Sequence, residues 1–179
     1  MALRNILTIG EPELKKKCRP VTEFNDRIKL LIDDLKDTLT NVTGLGLAAP
    51  QVGILRRAAI VFVDETEMLE LINPEIVERE GTSNIEEACL SCPGLAGYVE
   101  RPERIVVKAF TRDGEEYSRE LTGINARAVC HEVDHLDGIL FVDIAENLRR
   151  DDAIDREEPG HETVEEKETT DNRAEGIEL

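Results

Sequence analysis

The chain has 179 residues, of which 40% are hydrophobic and 34% charged, with a formal net charge of −17; the length suits one domain with a sizeable core, and the charge argues against direct nucleic-acid binding. Aromatic residues make up only 3% and tryptophan is absent, so the core must be built from Leu, Ile and Val. Four cysteines, and no apolar stretch between Met1 and Lys17, exclude a disulfide scaffold, a secretory signal and an N-terminal membrane anchor, and point to a cytoplasmic protein.

In chain order, Ile28, Leu31, Ile32, Leu35 and Leu39 recur at helical spacing, with Asn25 or Asp26 available as a cap, and predict an amphipathic helix. A glycine-rich segment from Gly44 follows it. Ala59 to Val63 and Ile105 to Phe110 are short apolar runs suited to buried strands, and Asp113-Gly114 reads as a hairpin turn into a strand from Tyr117 to Leu121. Thr122 is placed to cap a helix from about Ile124 to Leu136, which Gly138 would end. Residues 1–150 are expected to form the domain. From Asp151 to Leu179 there are twelve acids and three bases, a net charge of −9 in a segment with few apolar residues. Such a tail cannot offset its ordering entropy and is expected to be disordered or a frayed helix.

His131-Glu132-Val133-Asp134-His135 carries the most chemistry, because it puts two of the three histidines four residues apart around a glutamate. On a helix those imidazoles share one face and can reach one ion, while the glutamate lies beside it as a general base for a metal-bound water. The bland reading is a pair of surface histidines. A catalytic site needs a third protein ligand, for which Cys89, Cys92, His161 and several carboxylates are candidates. Cys89-Leu90-Ser91-Cys92 could instead help close a four-ligand structural zinc site, although the gap from Cys92 to His131 is longer than small zinc modules use. A dithiol redox pair would favour a helix start after the second cysteine, where Pro93-Gly94 signals a turn. His161 lies in the tail, which would hold an ion poorly.

Three segments in this order resemble the peptide deformylase family: Gly44-Leu45-Gly46-Leu47-Ala48-Ala49-Pro50-Gln51, Glu87-Ala88-Cys89-Leu90-Ser91 and His131-Glu132-Val133-Asp134-His135. Ile72-Asn73-Pro74, Arg101-Pro102 and Leu136-Asp137-Gly138-Ile139-Leu140-Phe141 fit as well, so the similarity runs from about Leu3 to about Leu148. Two positions depart from the pattern: Ala88 stands where the family has glycine, and Cys130 where it has glutamine. An alanine at 88 is harmless if the backbone is extended. Cys130 points away from the ligand face and is expected to be a core residue.

The order of elements predicts an α+β fold, antiparallel β-sheets packed around a central metal-bearing helix, which the resemblance also implies; the acidic C-terminal tail lies beyond the similarity. The resemblance implies a metal-dependent hydrolase that removes the N-formyl group from N-formylmethionyl nascent polypeptides by attack of a metal-bound hydroxide. Cys89, His131 and His135 would be the metal ligands and Glu132 the proton shuttle; Gln51 and the Leu90 N–H would stabilise the oxyanion. Leu45, Gly46, Ala88 and Arg101 would bind substrate, Gly46 by letting backbone approach the peptide. The ion would be ferrous in the cell, with zinc, nickel or cobalt also suited to one thiolate and two imidazoles. No membrane or nucleic-acid partner is expected, and the protein would be a monomer. The alternatives are a zincin-type metallopeptidase, drawing its third ligand from Glu157 or Glu158, and a non-enzymatic protein with a closed zinc site that uses Cys92.

Overall fold

The structure, a computed structural model, describes residues 3–151. The acidic tail expected from Asp151 onward lies, from residue 152, outside the described residues. Helix α1 (Asp26–Thr40) begins where Asn25 caps it, its side chain accepting from the Arg27 N–H at 3.1 Å. Its apolar stripe is buried as the spacing predicts, together with two polar residues, Asp34 and Thr38. Arg4 answers both: Nε and Nη2 donate to Asp34 at 2.9 and 2.6 Å, and the Arg4 N–H donates to Thr38 Oγ1 at 3.0 Å. The N-terminal segment is thereby tied to α1, although hydrophobic periodicity gives no sign of it.

Five antiparallel strands form the larger sheet in the order β1-β2-β3-β6-β7: β1 (Gly46–Ala48), β2 (Ala58–Phe62), β3 (Met68–Glu80), β6 (Arg104–Phe110) and β7 (Glu116–Thr122). The runs expected at 59–63, 105–110 and 117–121 are β2, β6 and β7 to within a residue or so. Successive side chains of a strand face opposite ways. Ala58 and Ile60 of β2 accordingly enter the core under α1, while Ala59 and Val61 enter the core under the second helix. Burial on both faces explains a continuous apolar run rather than alternation. In β3 the pairing to β6 shifts between Ile72 and Glu75, where Asn73 has φ +49° and its side-chain amide bonds the backbone of Val21 at 2.8 Å in both directions.

A smaller antiparallel sheet, β4-β5-β8, comprises β4 (Ser83–Ala88), β5 (Leu95–Arg101) and β8 (Glu146–Arg150). Helix α2 (Gly123–Leu136) packs on β1, β2 and β7 of the larger sheet, and its polar residues reach β4 and β5 of the smaller one. Thr122 does occupy the N-cap position, but its side chain makes no capping hydrogen bond because it also ends β7. Gly138 follows the helix at φ +78°, and an added Cβ would lie 2.7 Å from the Lys15 carbonyl oxygen, so both backbone angle and space require glycine. Among the described residues, no helix is long and apolar enough to cross a membrane.

Candidate active site

Helix α2 delivers His131, Glu132 and His135 onto the side where the two sheets meet, and Cys89 arrives from the turn that follows β4. Cys89 Sγ lies 3.3 Å from His135 Nε2, which lies 3.2 Å from His131 Nε2. All three donor atoms fall within 4.8 Å of one another. A four-coordinate ion with bonds of about 2.0–2.3 Å sets its ligands roughly 3.3–3.6 Å apart, so this donor set fits a metal of the zinc or ferrous type. Among the described residues it is the one such group of three, and Cys92 is not part of it. The closed four-ligand and zincin alternatives are therefore not favoured.

Each of these three side chains has its support. His131 Nδ1 donates to Glu87 Oε2 at 3.0 Å, which orients the ring with Nε2 toward His135; burial lowers its basicity, but the Glu87 hydrogen bond and the Glu132 and Glu87 charges outweigh burial and raise it, so an ion would bind Nε2 by displacing a proton. Burial, then the neighbouring His131 and Arg101, hold the His135 imidazole well below its usual range and so neutral. The Ser91 N–H and Gln51 Nε2 approach Cys89 Sγ at 3.4 and 3.7 Å. In the bare protein the adjacent Cys92 thiol and burial push the Cys89 thiol up, and a coordinated cation would draw that proton off.

Around Glu87 lies a buried charge cluster. Burial pushes its carboxyl up, but hydrogen bonds from His131 and Arg101 and their charge outweigh burial and hold it at about 2. Arg101 Nε and Nη2 grip the two oxygens at 3.0 and 3.1 Å, and Arg127 Nη1 donates to Oε1 at 2.7 Å. Arg127 continues to the Val99 and Ser83 carbonyls, both at 2.8 Å, and so pins α2 to β5 and to the start of β4. Arg101 also pairs with Asp134. Arg101, expected to bind substrate, is buried, does not line the cleft, and reaches the site through Glu87. Arg127 was legible only as a residue one turn before His131; its partners come from distant strands.

A cleft of about 960 Å³ opens over the cluster, lined by Leu45, Gly46, Gln51, Ala88, Leu90 and Glu132 among others. Gln51 is fixed in its 3-10 turn, Ala49–Val52, because its Oε1 accepts from the Ala48 N–H at 2.8 Å while Nε2 faces Ser91 Oγ at 3.2 Å. Glu132 is buried, Oε2 has no hydrogen-bond partner among the described residues, and burial above all raises its carboxyl to about 7. A Cβ at Gly46 would stand 2.4 Å from Glu132 Oε1, so the glycine makes room for this carboxylate, whatever it also does for substrate. Ala88 ends β4 and is not among the residues with positive φ, which settles that departure as harmless to the backbone. Cys130 is buried in the core beneath α2, as expected.

Comparison with known proteins agrees with this arrangement. The sequence profile of the family described as polypeptide deformylase matches residues 3–151. The peptide deformylase of Caldicellulosiruptor bescii is 52% identical over 80% of this chain and 86% of its own, and that of Acetivibrio thermocellus is 47% identical over 87% and 91%. Among solved structures, a peptide deformylase from Legionella pneumophila superposes with a TM-score of 0.79 at 38% identity, covering 82% of this chain and 88% of its own. The enzyme from Thermotoga maritima gives 0.78 at 39%, covering 82% and 99%.

Proposed function

The chain belongs to the polypeptide deformylase family, and from that premise we propose how its residues divide the work. The activity is metal-dependent hydrolysis of the formyl group at the N-terminus of new peptides. The observation that carries the ligand reading is the convergence of Cys89 Sγ, His131 Nε2 and His135 Nε2 at the spacing one ion requires. When bound there, the ion acidifies a water and polarises the formyl oxygen.

Glu132 takes a proton from the attacking water and returns it to the departing nitrogen. A carboxyl raised to about 7 suits both directions of that transfer near neutral pH. Gln51 Nε2 and the Leu90 N–H donate to the oxygen that gains negative charge, and removal of one such donor typically costs about 2.7–4 kcal/mol. Glu87 orients His131, and Arg101 and Arg127 hold Glu87, which makes all three positioning residues. The cleft runs between two sheet edges, β1 with Leu45 just ahead of it and β4 ending at Ala88, and an extended peptide fits there as an added strand.

Within this reading the substrate is an N-formylmethionyl nascent chain and the ion is ferrous in the cell, with zinc, nickel or cobalt tolerated by the same donors. The enzyme acts as a cytoplasmic monomer whose catalytic unit is residues 1–150, with 151–179 as an accessory acidic tail. The test is formate release from formyl-Met-Ala by protein prepared without oxygen and quantified for metal. Turnover should scale with bound metal, reach a maximum near one ion per chain, and be absent with acetyl-Met-Ala. Metal-independent turnover, or none at full metal loading, would refute the reading.

A further inference from the structure

The chemistry above uses Cys89 and leaves Cys92 idle, although the two residues share one turn and one buried cluster. Cys89 and Cys92 close a turn in which the Cys92 N–H donates to the Cys89 carbonyl at 2.9 Å. Such a turn brings its end Cα atoms within about 7 Å, which overlaps the roughly 4.4–6.8 Å span of a disulfide. Access is asymmetric. Cys89 lines the cleft, whereas Cys92 does not and is fully buried behind it with Leu14, Val99, Leu140 and Phe141.

We propose that Cys92 is a resolving thiol that makes the metal-binding cysteine reversibly oxidisable, so that a hydroperoxide entering the cleft closes a Cys89–Cys92 disulfide and releases the ion. For its consequence, though not for the bond itself, this rests on the reading of Cys89 as a ligand. In the first step the Cys89 thiolate sulfur attacks the outer oxygen of the hydroperoxide: an S–O bond forms, the O–O bond breaks, and the alkoxide or hydroxide that leaves takes a proton from water. Sulfur has lost two electrons and the peroxide has gained them. In the second step Cys92 sulfur attacks the Cys89 sulfenic acid; an S–S bond forms, the S–O bond breaks, and hydroxide leaves as water with the Cys92 proton. The disulfide sulfur no longer offers a thiolate, which leaves two imidazoles on the ion. Cys92 intercepts the sulfenic acid before further peroxide converts it to sulfinic acid, which thiols do not reverse.

The experiment treats the metal-loaded full-length protein with one and then five equivalents of hydrogen peroxide, measures released metal, and maps alkylated tryptic peptides by mass spectrometry. The wild type should lose alkylation at Cys89 and Cys92 together, release close to one ion per chain, and recover both thiols and metal binding with dithiothreitol plus added metal. Cys92→Ser should take the same peroxide into a Cys89 peptide 32 Da heavier, with no recovery. Wild-type protein in which Cys89 gains oxygen while Cys92 stays alkylatable would overturn the proposal and leave the ligand reading intact. A disulfide formed without metal release would overturn both, and because these outcomes are read in the wild type, neither depends on how well the variant folds.

Discussion

The two helices are almost equally long and both are buried on one face, yet what they bury is opposite. Helix α1 presents Ile28, Leu31, Ile32, Leu35 and Leu39, and Arg4 answers its buried Asp34 and Thr38. Helix α2 buries Arg127, Glu132 and His135 beside Ala126, Val129, Cys130 and Leu136. Among the described residues, the buried side-chain polar atoms without a hydrogen-bond partner are Arg127 Nε, Glu132 Oε2 and His135 Nδ1, all on α2. Apolar burial on α1 contributes about 1.5–3 kcal/mol per large side chain. Charge burial on α2 costs free energy that is offset only where an ion pair is complete. Thus α1 holds the fold and α2 spends stability on chemistry.

The largest effect that would break this contrast lies at Glu87, which keeps two buried arginines paired. Glu87→Gln should cost about 3–5 kcal/mol, since Arg127 loses its counter-charge and Arg101 keeps only Asp134, and this is measurable by urea unfolding. Metal affinity should fall about 10- to 100-fold as His131 loses its orienting partner. The pH dependence sharpens the same point. The Glu87 carboxyl is held at about 2 in the fold against an ordinary 4.5, so the folded state binds this proton less readily than the unfolded one. Its contribution is complete above about pH 4.5 and is lost as pH falls toward 2; in Glu87→Gln that part of the acid destabilisation should vanish.

On the other helix, Leu35→Ala removes a fully buried side chain and should cost about 2–5 kcal/mol. Formate release per folded molecule should stay within about twofold, because no charged site residue depends on it; a larger loss would mean that α1 also positions the site. The smallest effect is expected at Cys92→Ser, with metal content near that of the wild type and about 1–3 kcal/mol of stability lost as a hydroxyl replaces a thiol in apolar surroundings. Cys89→Ser, by contrast, should lose most of its metal, and equal losses in the two variants would return the four-ligand site to consideration.

How far the sequence could be read follows the same division. The α1 stripe follows from periodicity, β2 and β6 from apolar runs, β7 from the Asp113-Gly114 turn before it, and the extent of α2 from Thr122 at its start and Gly138 past its end. Strand β8 shows nothing of the kind: every residue from Glu146 to Arg150 is exposed, and only its pairing with β5 makes it a strand. In β3 the shift around Asn73 interrupts alternation, and β4 is mostly exposed. His131, Glu132 and His135 are legible together because one helix carries them. Cys89 and Gln51 come from other parts of the chain: Cys89 was one of several candidate ligands until the family resemblance singled it out, and Gln51 was reached only through that resemblance. The work of Arg127 and Ser91 was not legible, since it depends on which strands fold against them.

Glu132 tests most directly whether α2 buries charge for chemistry rather than for stability. Glu132→Leu replaces a buried carboxylate that has one unpartnered oxygen with an apolar side chain of similar size. The measurement is the melting temperature and formate release of this variant and the wild type, both saturated with the same metal so that ligand linkage is equal. The account predicts an unchanged or higher melting temperature with formate release lowered by about 10²- to 10⁴-fold. Retained turnover, or a melting temperature lowered by several degrees with loss of the metal, would contradict it and make Glu132 a structural residue.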